Sequence, residues 1–351
     1  MVSVHATPTP FVRDSLSTLD EASSGCPGFT RRLGPVEFTV HLFGDLDEAQ
    51  FDHLVRYCEP STWEPPRARQ TLYVAVGAGS PIGCPPPDWP FPIDDPASFH
   101  RTHWAPEEGI ALTSDEQAGV WNLMDFRTRT SALWIRSLDE LPEWEHAAPL
   151  RYSFHWAAHA VGDVVAHAAV WSDGETQLLV TGPGGSGKST LSVAALQSGL
   201  TLVSEDLCWI ELGADRMRGR RLYRSAKITE GSKERFPFIA DLLGRSSVEP
   251  FEKSVIALPC LTVAEPHASI SAVFCLSGKF ADHDEIQPCG PALAYRLLAP
   301  STLFLLRTAI PETAGRLKRL VEGPPLYQVV PGADPQAAVA SMLSLAKAGN
   351  S

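Results

Sequence analysis

The chain of 351 residues lacks the features of several large protein classes. No apolar run approaches the roughly 20 residues that a membrane-spanning helix needs. Residues 1–25 contain no basic segment followed by an apolar stretch, so no signal peptide is expected. Positive charge is scarce, because 29 Lys and Arg stand against 41 Asp and Glu, a net charge of −12. We therefore expect a cytoplasmic protein with neither a nucleic-acid nor a membrane partner.

Paired cysteines are missing as well. The seven cysteines stand singly, without a CxxC motif, which is a poor pattern for a disulfide framework or a zinc site. Reduced thiols are the simpler expectation. Cys208 and Cys275 lie in apolar, strand-like runs, so we expect both to be small core residues.

The length of the chain predicts two domains. Residues 1–30 are rich in Ser, Thr, Pro and Gly, which predicts a disordered or loosely attached segment. Residues 31–150 are expected to form an α+β domain with an accessory or substrate-recognition role. Residues 151–351 are expected to form an α/β domain.

The patterns in residues 31–150 are mixed. The alternating run from Val36 predicts a strand, Asp45–Cys58 a capped helix, and the run ending at Gly77 another strand. Residues 79–96 hold too many prolines for a helix or a central strand, so a long loop or linker is expected. We interpret the tryptophans that follow mainly as packing residues: Trp104, Trp121, Trp134, Trp144 and Trp156.

After residue 150 short apolar strands alternate with helical patterns. The helix that begins at Lys188 is expected to end before Gly199, and Asp334 followed by Pro335 predicts the start of a last helix. The predicted strands are His167–Asp173, Gln177–Gly182, Leu200–Asp206, residues 207–212 and Ser271–Ser277.

The strongest motif lies between the second of these strands and the helix. The sequence GPGGSGKS, from Gly182 to Ser189, satisfies G-x-x-x-x-G-K-[ST], the P-loop pattern. In such a loop, glycines let backbone N–H groups turn toward an anion, and the helix N-terminus adds positive potential. Lys188 would reach the β- and γ-phosphates of ATP, and Ser189 would offer an oxygen to Mg²⁺. The expected nucleotide-binding residues are Gly182, Gly184, Gly185, Ser186, Gly187, Lys188, Ser189 and Thr190.

Two large P-loop classes do not fit the sequence. An ABC-type ATPase needs an LSGGQ-like signature, and the nearest candidate, Leu276–Phe280, lacks the second glycine and the glutamine. A small GTPase needs a DxxG switch together with an NKxD motif, and no convincing pair is present. The motif alone does not fix the reaction.

Residues 167–209 resemble the catalytic core of HPr kinase/phosphorylase-type proteins. That core carries a histidine fifteen residues before the first P-loop glycine and an acidic pair seventeen and eighteen residues after the lysine. His167, Glu205 and Asp206 stand at these spacings from Gly182 and Lys188. The resemblance implies a P-loop kinase fold, with Glu205 as the base and Asp206 on the metal, beside the Ser189 oxygen that the P-loop motif already predicts. The family normally has aspartate at the first acidic position, and its arginine-rich signature for the reverse reaction is missing from this sequence.

The spacing also makes physical sense without the family. A short helix after the loop would return the chain to a strand beside the first, so the carboxyl end of that strand would face the same crevice. Glu205 and Asp206 would then share two tasks, holding Mg²⁺ and preparing a hydroxyl. Either acid could take either task on this reasoning. His167 would steady the pair, and Arg224, Lys227 or Lys253 could close on the phosphates.

We therefore expect an ATP- and Mg²⁺-dependent kinase that phosphorylates a hydroxyl, with serine favoured. The acceptor would be a peptide, a small protein or a small molecule, and the resemblance implies a natural-product precursor peptide as one option. A homo-oligomer is compatible with the family. The alternatives are a nucleotide-binding protein without transfer activity and an ATPase.

Overall fold

The computed structural model describes residues 8–25, 28–44, 46–60, 65–83, 100–214, 216–238, 247–248, 253–258, 268–307 and 310–348. The chain is mixed α/β and divides into two compact units, the first of residues 1–57, 65–161 and 307–309, and the second of 58–64, 162–306 and 310–351. The division falls at residue 161 rather than at the predicted 150. The reason is that helix Arg151–Ala160 packs on the sheet of the first unit, where Tyr152 and Trp156 join a buried cluster.

The first unit contains a single described sheet with short helices around it. In chain order its elements are α1 Pro8–Ser23, β1 Phe29–Leu33, β2 Val36–Phe43, α2 Glu48–Leu54, β3 Ala68–Val76, a 3-10 turn Gly77–Gly79, β4 His100–Ala105, β5 Ile110–Asp115, β6 Val120–Asp125, β7 Thr130–Ile135, α3 Glu143–Ala147 and α4 Arg151–Ala160. The strands pair in the order β1-β2-β3-β7-β6-β5-β4. Strands β2, β3 and β7 run parallel, and β4 to β7 form an antiparallel meander.

The expectation of a disordered N-terminal segment is wrong for residues 8–23. Helix α1 buries Phe11, Val12, Leu16 and Leu19, whose helical spacing gives it one apolar face. This face joins a cluster that includes Trp121. The abundance of Ser, Thr and Pro in residues 1–30 hid this short amphipathic pattern. Residues 1–7 and 26–27 lie outside the described part.

One other prediction for this unit needs adjustment, and another lies mostly outside the described residues. Strand β2 agrees with its prediction, but α2 is shorter than the predicted Asp45–Cys58. It begins after Asp47, whose carboxylate accepts from Gln50 N at 2.8 Å while the Gln50 side chain accepts from Asp47 N, a capping box. Most of the predicted proline-rich loop, residues 84–96, lies outside the described residues.

The second unit contains three described sheets and the helices that cover them. In chain order its elements are β8 Val164–His167, β9 Ala169–Ser172, β10 Thr176–Thr181, α5 Lys188–Gln197, β11 Thr201–Ser204, β12 Leu207–Leu212, β13 Met217–Arg221, β14 Ser225–Thr229, α6 Glu230–Arg235, β15 Ser247–Val248, β16 Lys253–Ala257, β17 Ser269–Leu276, β18 Glu285–Pro288, α7 Pro291–Leu305, α8 Ile310–Leu320, β19 Leu326–Val330 and α9 Pro335–Ala348.

The central sheet of this unit has the order β11-β9-β10-β17-β19-β18. Strands β10, β17 and β19 are parallel, and β9 is antiparallel to both β10 and β11. Strand β11 therefore runs in the same direction as β10, but β9 lies between them. The expectation that the strand after the helix lies beside the first is wrong, because β9 takes that place.

Both faces of the central sheet are covered. On β10, Leu178 and Val180 point into a cluster with residues of α5 and α9, while Leu179 points into a second cluster with residues of α7 and α8. All three side chains are fully buried, which contributes roughly 1.5–3 kcal/mol each. Burial on both faces explains why β10 is a continuous apolar run rather than an alternating one.

The predicted strand His167–Asp173 is in fact two strands. Strand β8 ends at His167 and pairs with β12, whereas β9 begins at Ala169 and enters the central sheet. The chain changes sheets at Ala168. Two further sheets, β13-β12-β8 and β14-β16-β15, complete the described strands of the unit.

Several local predictions for the second unit are confirmed. Helix α5 ends before Gly199, which has φ +83°, and Asp334 Oδ1 accepts from Gln336 N and Ala337 N at the start of α9. Cys208 and Cys275 are fully buried free thiols. No helix among the described residues is long and apolar enough to cross a membrane.

Candidate functional site

One edge of the central sheet collects the loops of several strands. Because β10, β11, β17 and β19 run in the same direction, their carboxyl ends meet at this edge. The antiparallel strand β9 begins there, so His167, two residues before Ala169, is brought to the same place. In open α/β sheets such an edge is the usual position of a ligand site.

The loop after β10 has a backbone that only glycine adopts readily. Gly187, the residue before α5, has φ +97°, and Gly182 has φ +154°. A Cβ on Gly182 would lie 2.7 Å from the carbonyl oxygen of Leu276. At Gly184 and Gly185, by contrast, an added Cβ would have no neighbour within 4 Å, so open space surrounds the middle of the loop.

Lys188 and Ser189 open helix α5 directly behind this loop. The Lys188 side chain folds over the loop, and its Nζ donates to the carbonyl oxygens of Gly182 at 2.8 Å and Pro183 at 3.2 Å. Lys188 is only 8% exposed, so its ammonium group lies within the loop rather than in solvent. Ser189 points the other way and donates from Oγ to Glu205 Oε1.

The acidic pair lies in the tight turn between β11 and β12. Ser204 fixes this turn, because its Oγ lies 2.9 Å from Leu207 O and 3.4 Å from Ala168 O. Glu205 is buried, and its Oε2 accepts from the backbone N–H of Lys227 at 3.2 Å. The Glu205 carboxylate is thus held between the first turn of α5 and strand β14.

Asp206 forms the centre of a second set of contacts. Its Oδ1 lies 2.9 Å from His167 Nε2, and its Oδ2 lies 2.9 Å from Lys227 Nζ. The three side chains are between 15% and 27% exposed, so this cluster opens to solvent while Glu205 does not. An ionised carboxylate only accepts hydrogen bonds, so the contact to His167 requires a proton on Nε2.

The two acids differ in charge behaviour. Burial, and then the charge of Asp206, raises the pKa of Glu205. Burial acts in the same direction on Asp206, but Lys227 and then His167 outweigh it and hold the pKa of Asp206 well below its ordinary value. Lys227 and His167 therefore favour the ionised form of Asp206.

A buried ion pair supports the strand that leads to these acids. Arg221 donates from Nη2 to Leu202 O, from Nε to Val203 O at 3.3 Å, and from Nη1 to Glu59 Oε2 at 3.3 Å. The Arg221 and Glu59 side chains are 4% and 7% exposed. Arg221 fixes the last residues of backbone before the acidic pair, and nothing in its basic sequence context distinguishes it from a surface arginine.

The structure brings most of the predicted site residues together. Ser189 contacts Glu205, while His167 contacts Asp206. The two metal ligands expected from the sequence, Ser189 and Asp206, are therefore not the pair in contact. Of the three candidate cations, Lys227 reaches the acids. Lys253, in β16, pairs with Thr229 of β14, and the Lys253 side chain lies outside the described part.

A comparison with models of known protein families finds no match, and a comparison with curated proteins finds none either. The resemblance to HPr kinases therefore stays a prediction carried by residues 167–209.

The donor atoms at this edge suit a hard cation and a polyphosphate. Among the described residues, no cluster of three or more His, Cys, Asp or Glu side chains could hold a metal ion unaided. Ser189 and one carboxylate are the oxygen donors with which proteins commonly hold Mg²⁺ when phosphate oxygens and water complete its shell. Two buried hydroxyl oxygens, Ser186 Oγ and Thr181 Oγ1, have no hydrogen-bond partner within the described part. They are polar atoms at the loop that a ligand could contact.

Proposed function

We propose that this chain is an ATP- and Mg²⁺-dependent kinase of the HPr kinase-like type that phosphorylates a hydroxyl group. The observation that carries the proposal is the contact of Ser189, in the first turn of α5, with Glu205. Asp206 is the next residue in the turn after β11 and contacts His167 and Lys227. A helix N-terminus with a glycine-rich loop suits a polyphosphate, and adjacent carboxylates suit the metal and the hydroxyl.

In this proposal each residue of the loop has a task. Backbone N–H groups of residues 184–187 and the ammonium group of Lys188 would hold the phosphate chain of ATP. Lys188 would exchange its contacts with Gly182 O and Pro183 O for phosphate oxygens. Mg²⁺, when bound, would neutralise negative charge on the phosphoryl oxygens, and Ser189 with Glu205 would hold it.

Asp206 would receive the acceptor hydroxyl. It is the more exposed acid, and Lys227 and His167 keep it oriented and ionised. As the hydroxyl oxygen bonds to the γ-phosphorus and the bond to the ADP oxygen breaks, the hydroxyl proton passes to Asp206. This division of tasks reverses the one that the resemblance implies, because Glu205 rather than Asp206 contacts Ser189.

The acceptor would be a serine-containing peptide, a small protein or a small molecule. A precursor peptide of a natural product is the option that the family resemblance favours. The proposed kinase would work in the cytoplasm, and the first unit would recognise the substrate.

The test uses the full chain with ATP labelled at the γ-phosphate and Mg²⁺. Three reactions run in parallel, with a library of serine-containing peptides, with free L-serine, and with water alone. Label on a peptide or on serine that disappears in Asp206→Asn supports the kinase. Lys188→Ala should abolish ATP binding, and unchanged ATP affinity in that variant contradicts the site.

One observation favours a second function. Glu205 replaces the aspartate usual in the resembling family, and it is buried, with a raised pKa and contacts to Ser189 and Lys227 N. A site held this way suits a nucleotide-binding protein without transfer activity. ATP binding with neither transfer nor release of the labelled γ-phosphate would support that function. Release of labelled phosphate in the reaction with water alone would indicate an ATPase.

A further inference from the structure

A pocket of about 310 Å³ opens directly beside the start of α5. It shares Gly187 and Thr190 with the glycine-rich loop and helix described above. Its size is at the lower end of the roughly 300–1,000 Å³ usual for small-molecule sites. Any group attached to a polyphosphate in the loop would therefore have a cavity next to it.

The walls of the pocket come from the neighbouring parallel strands. Phe280 follows β17, and Pro331 and Gly332 follow β19. These two loops are tied together, because Ser277 N donates to Val329 O at 3.0 Å and Ala281 N donates to Pro331 O at 3.1 Å. The backbone that carries Phe280 is thus fixed at the rim of the pocket.

Phe280 is unusual among the large hydrophobic residues of the second unit because its side chain is exposed. Its side chain is 64% exposed, one of three large hydrophobic residues exposed among the described residues. The ring lies beside the helix entry, since a Cβ on Gly187 would be 3.4 Å from Phe280 Cε1. The sequence around it, Leu276–Phe280, fails as an ABC signature and has no role in the proposed transfer reaction.

We propose that this pocket receives the ribose and base of the nucleotide, and that the ring of Phe280 stacks on the base. The inference rests on the proposed function. An exposed aromatic ring at the mouth of a pocket gives a flat surface to which any base can stack, since every base has a π-face. The loop holds the phosphates, and the pocket continues from it at Gly187 and Thr190.

The chemistry of the walls also determines selectivity. Most of the lining residues offer no side-chain hydrogen-bonding group: Gly187, Leu191, Gly231, Phe280, Pro331, Gly332 and Pro335. Arg235, one of the two polar side chains, donates from Nη2 to Ala333 O. The pocket therefore binds the face of a base rather than reading its edge, and ATP and GTP bind with affinities within about tenfold of each other.

The experiment compares two phenylalanines of equal exposure. Phe280→Ala is set against Phe304→Ala, whose side chain on α7 is 65% exposed. Dissociation constants of the full-length protein are measured by calorimetry for ATP, for GTP and for inorganic tripolyphosphate, each with Mg²⁺. We expect Phe280→Ala to weaken ATP and GTP about tenfold, the effect of losing one stacking contact, and to leave tripolyphosphate unchanged. Phe280→Trp should retain both affinities, and Phe304→Ala should change neither.

Each outcome separates the pocket from the proposed function. If the unaltered protein binds ATP and Phe280→Ala binds it equally well, the stacking role is overturned and the kinase proposal stands. Equal weakening of ATP and tripolyphosphate would show that the ring supports the loop rather than the base, which also overturns it. A preference of about a hundredfold between ATP and GTP contradicts face-only binding. An unaltered protein that binds neither ATP nor tripolyphosphate overturns the proposed function, and the inference with it.

Discussion

The contact between Lys227 and Asp206 gives a prediction that does not depend on any ligand. The Nζ and Oδ2 atoms lie 2.9 Å apart, and each side chain is about one quarter exposed (27% and 26%). At an effective dielectric constant of about 20, two unit charges at this distance attract by about 6 kcal/mol. Partial solvent screening, the cost of desolvation and the entropy of ordering the lysine reduce this to a net coupling of about 1–2 kcal/mol.

A double-mutant cycle measures this coupling. Lys227→Met keeps the apolar stem and removes the charge, and Asp206→Asn keeps the shape of the carboxylate. Urea unfolding of the unaltered protein, both single variants and the double variant gives four midpoints, compared at constant m-value. We expect the losses of stability in the two single variants to add up to more than the loss in the double variant.

A second cycle provides the control. Lys318 and Glu322 form an i,i+4 pair at 3.7 Å with side chains 69% and 51% exposed. Lys318→Met with Glu322→Gln should show a coupling of about 0.3–0.5 kcal/mol at most. If the coupling of Lys227 with Asp206 is no larger than this control value, the two groups do not hold each other, and the description of Asp206 as a fixed, ionised carboxylate is wrong.

Two further predictions concern the glycine-rich loop and the ion pair between Asp173 and Lys347. Gly182→Ala should destabilise the second unit by about 1–3 kcal/mol, because the new Cβ would lie 2.7 Å from Leu276 O. Gly184→Ala, whose new Cβ has no neighbour within 4 Å, should change the free energy of unfolding by no more than about 0.5 kcal/mol. Equal urea midpoints for the two variants would contradict this interpretation of the loop. Asp173 Oδ2 lies 2.7 Å from Lys347 Nζ, and although burial acts to raise the pKa of Asp173, the hydrogen bond from Lys347 lowers it. A depressed folded pKa gives stability that is present above the unfolded pKa, about 3.9, and lost as the pH falls through the folded value. Asp173→Asn should therefore be less stable than the unaltered protein at neutral pH, and this difference in unfolding free energy should shrink below about pH 4. A stability difference that stays constant from neutral pH down to about pH 2.5 would refute the role of the charge.

Local features of the second unit could be predicted from the sequence. The run β10, the glycine-rich turn and α5 are contiguous, and each is determined by side chains a few residues apart. The same holds for Asp334, whose carboxylate accepts from two N–H groups in the next three residues. Such features need only local propensity and short hydrogen bonds, so the pattern of residues determines them.

The convergence of the acidic turn with other strands could be predicted only in part. Sequence spacing placed His167, Glu205 and Asp206 near one edge, but the pairing of each acid depends on sheet order. Strand β9 separates β10 from β11, and Lys227 comes from a different sheet. Which carboxylate meets Ser189 depends on the turn after β11, where Ser204 contacts Leu207 O, and on the strand before it, which Arg221 contacts at Leu202 O and Val203 O. Neither residue carries a sequence signal of that role.

Helix α1 is a local feature that the sequence contained but that its composition obscured. Its apolar residues recur with helical spacing, but a composition rich in Ser and Thr predicted disorder. The helix buries this face against the strands β5 to β7, about a hundred residues further along the chain. The sequence by itself determined the strand, the turn and the helix of the loop, because their hydrogen bonds are local. Tertiary structure decided which distant side chains those elements meet, because sheet order and burial join residues that no short pattern connects.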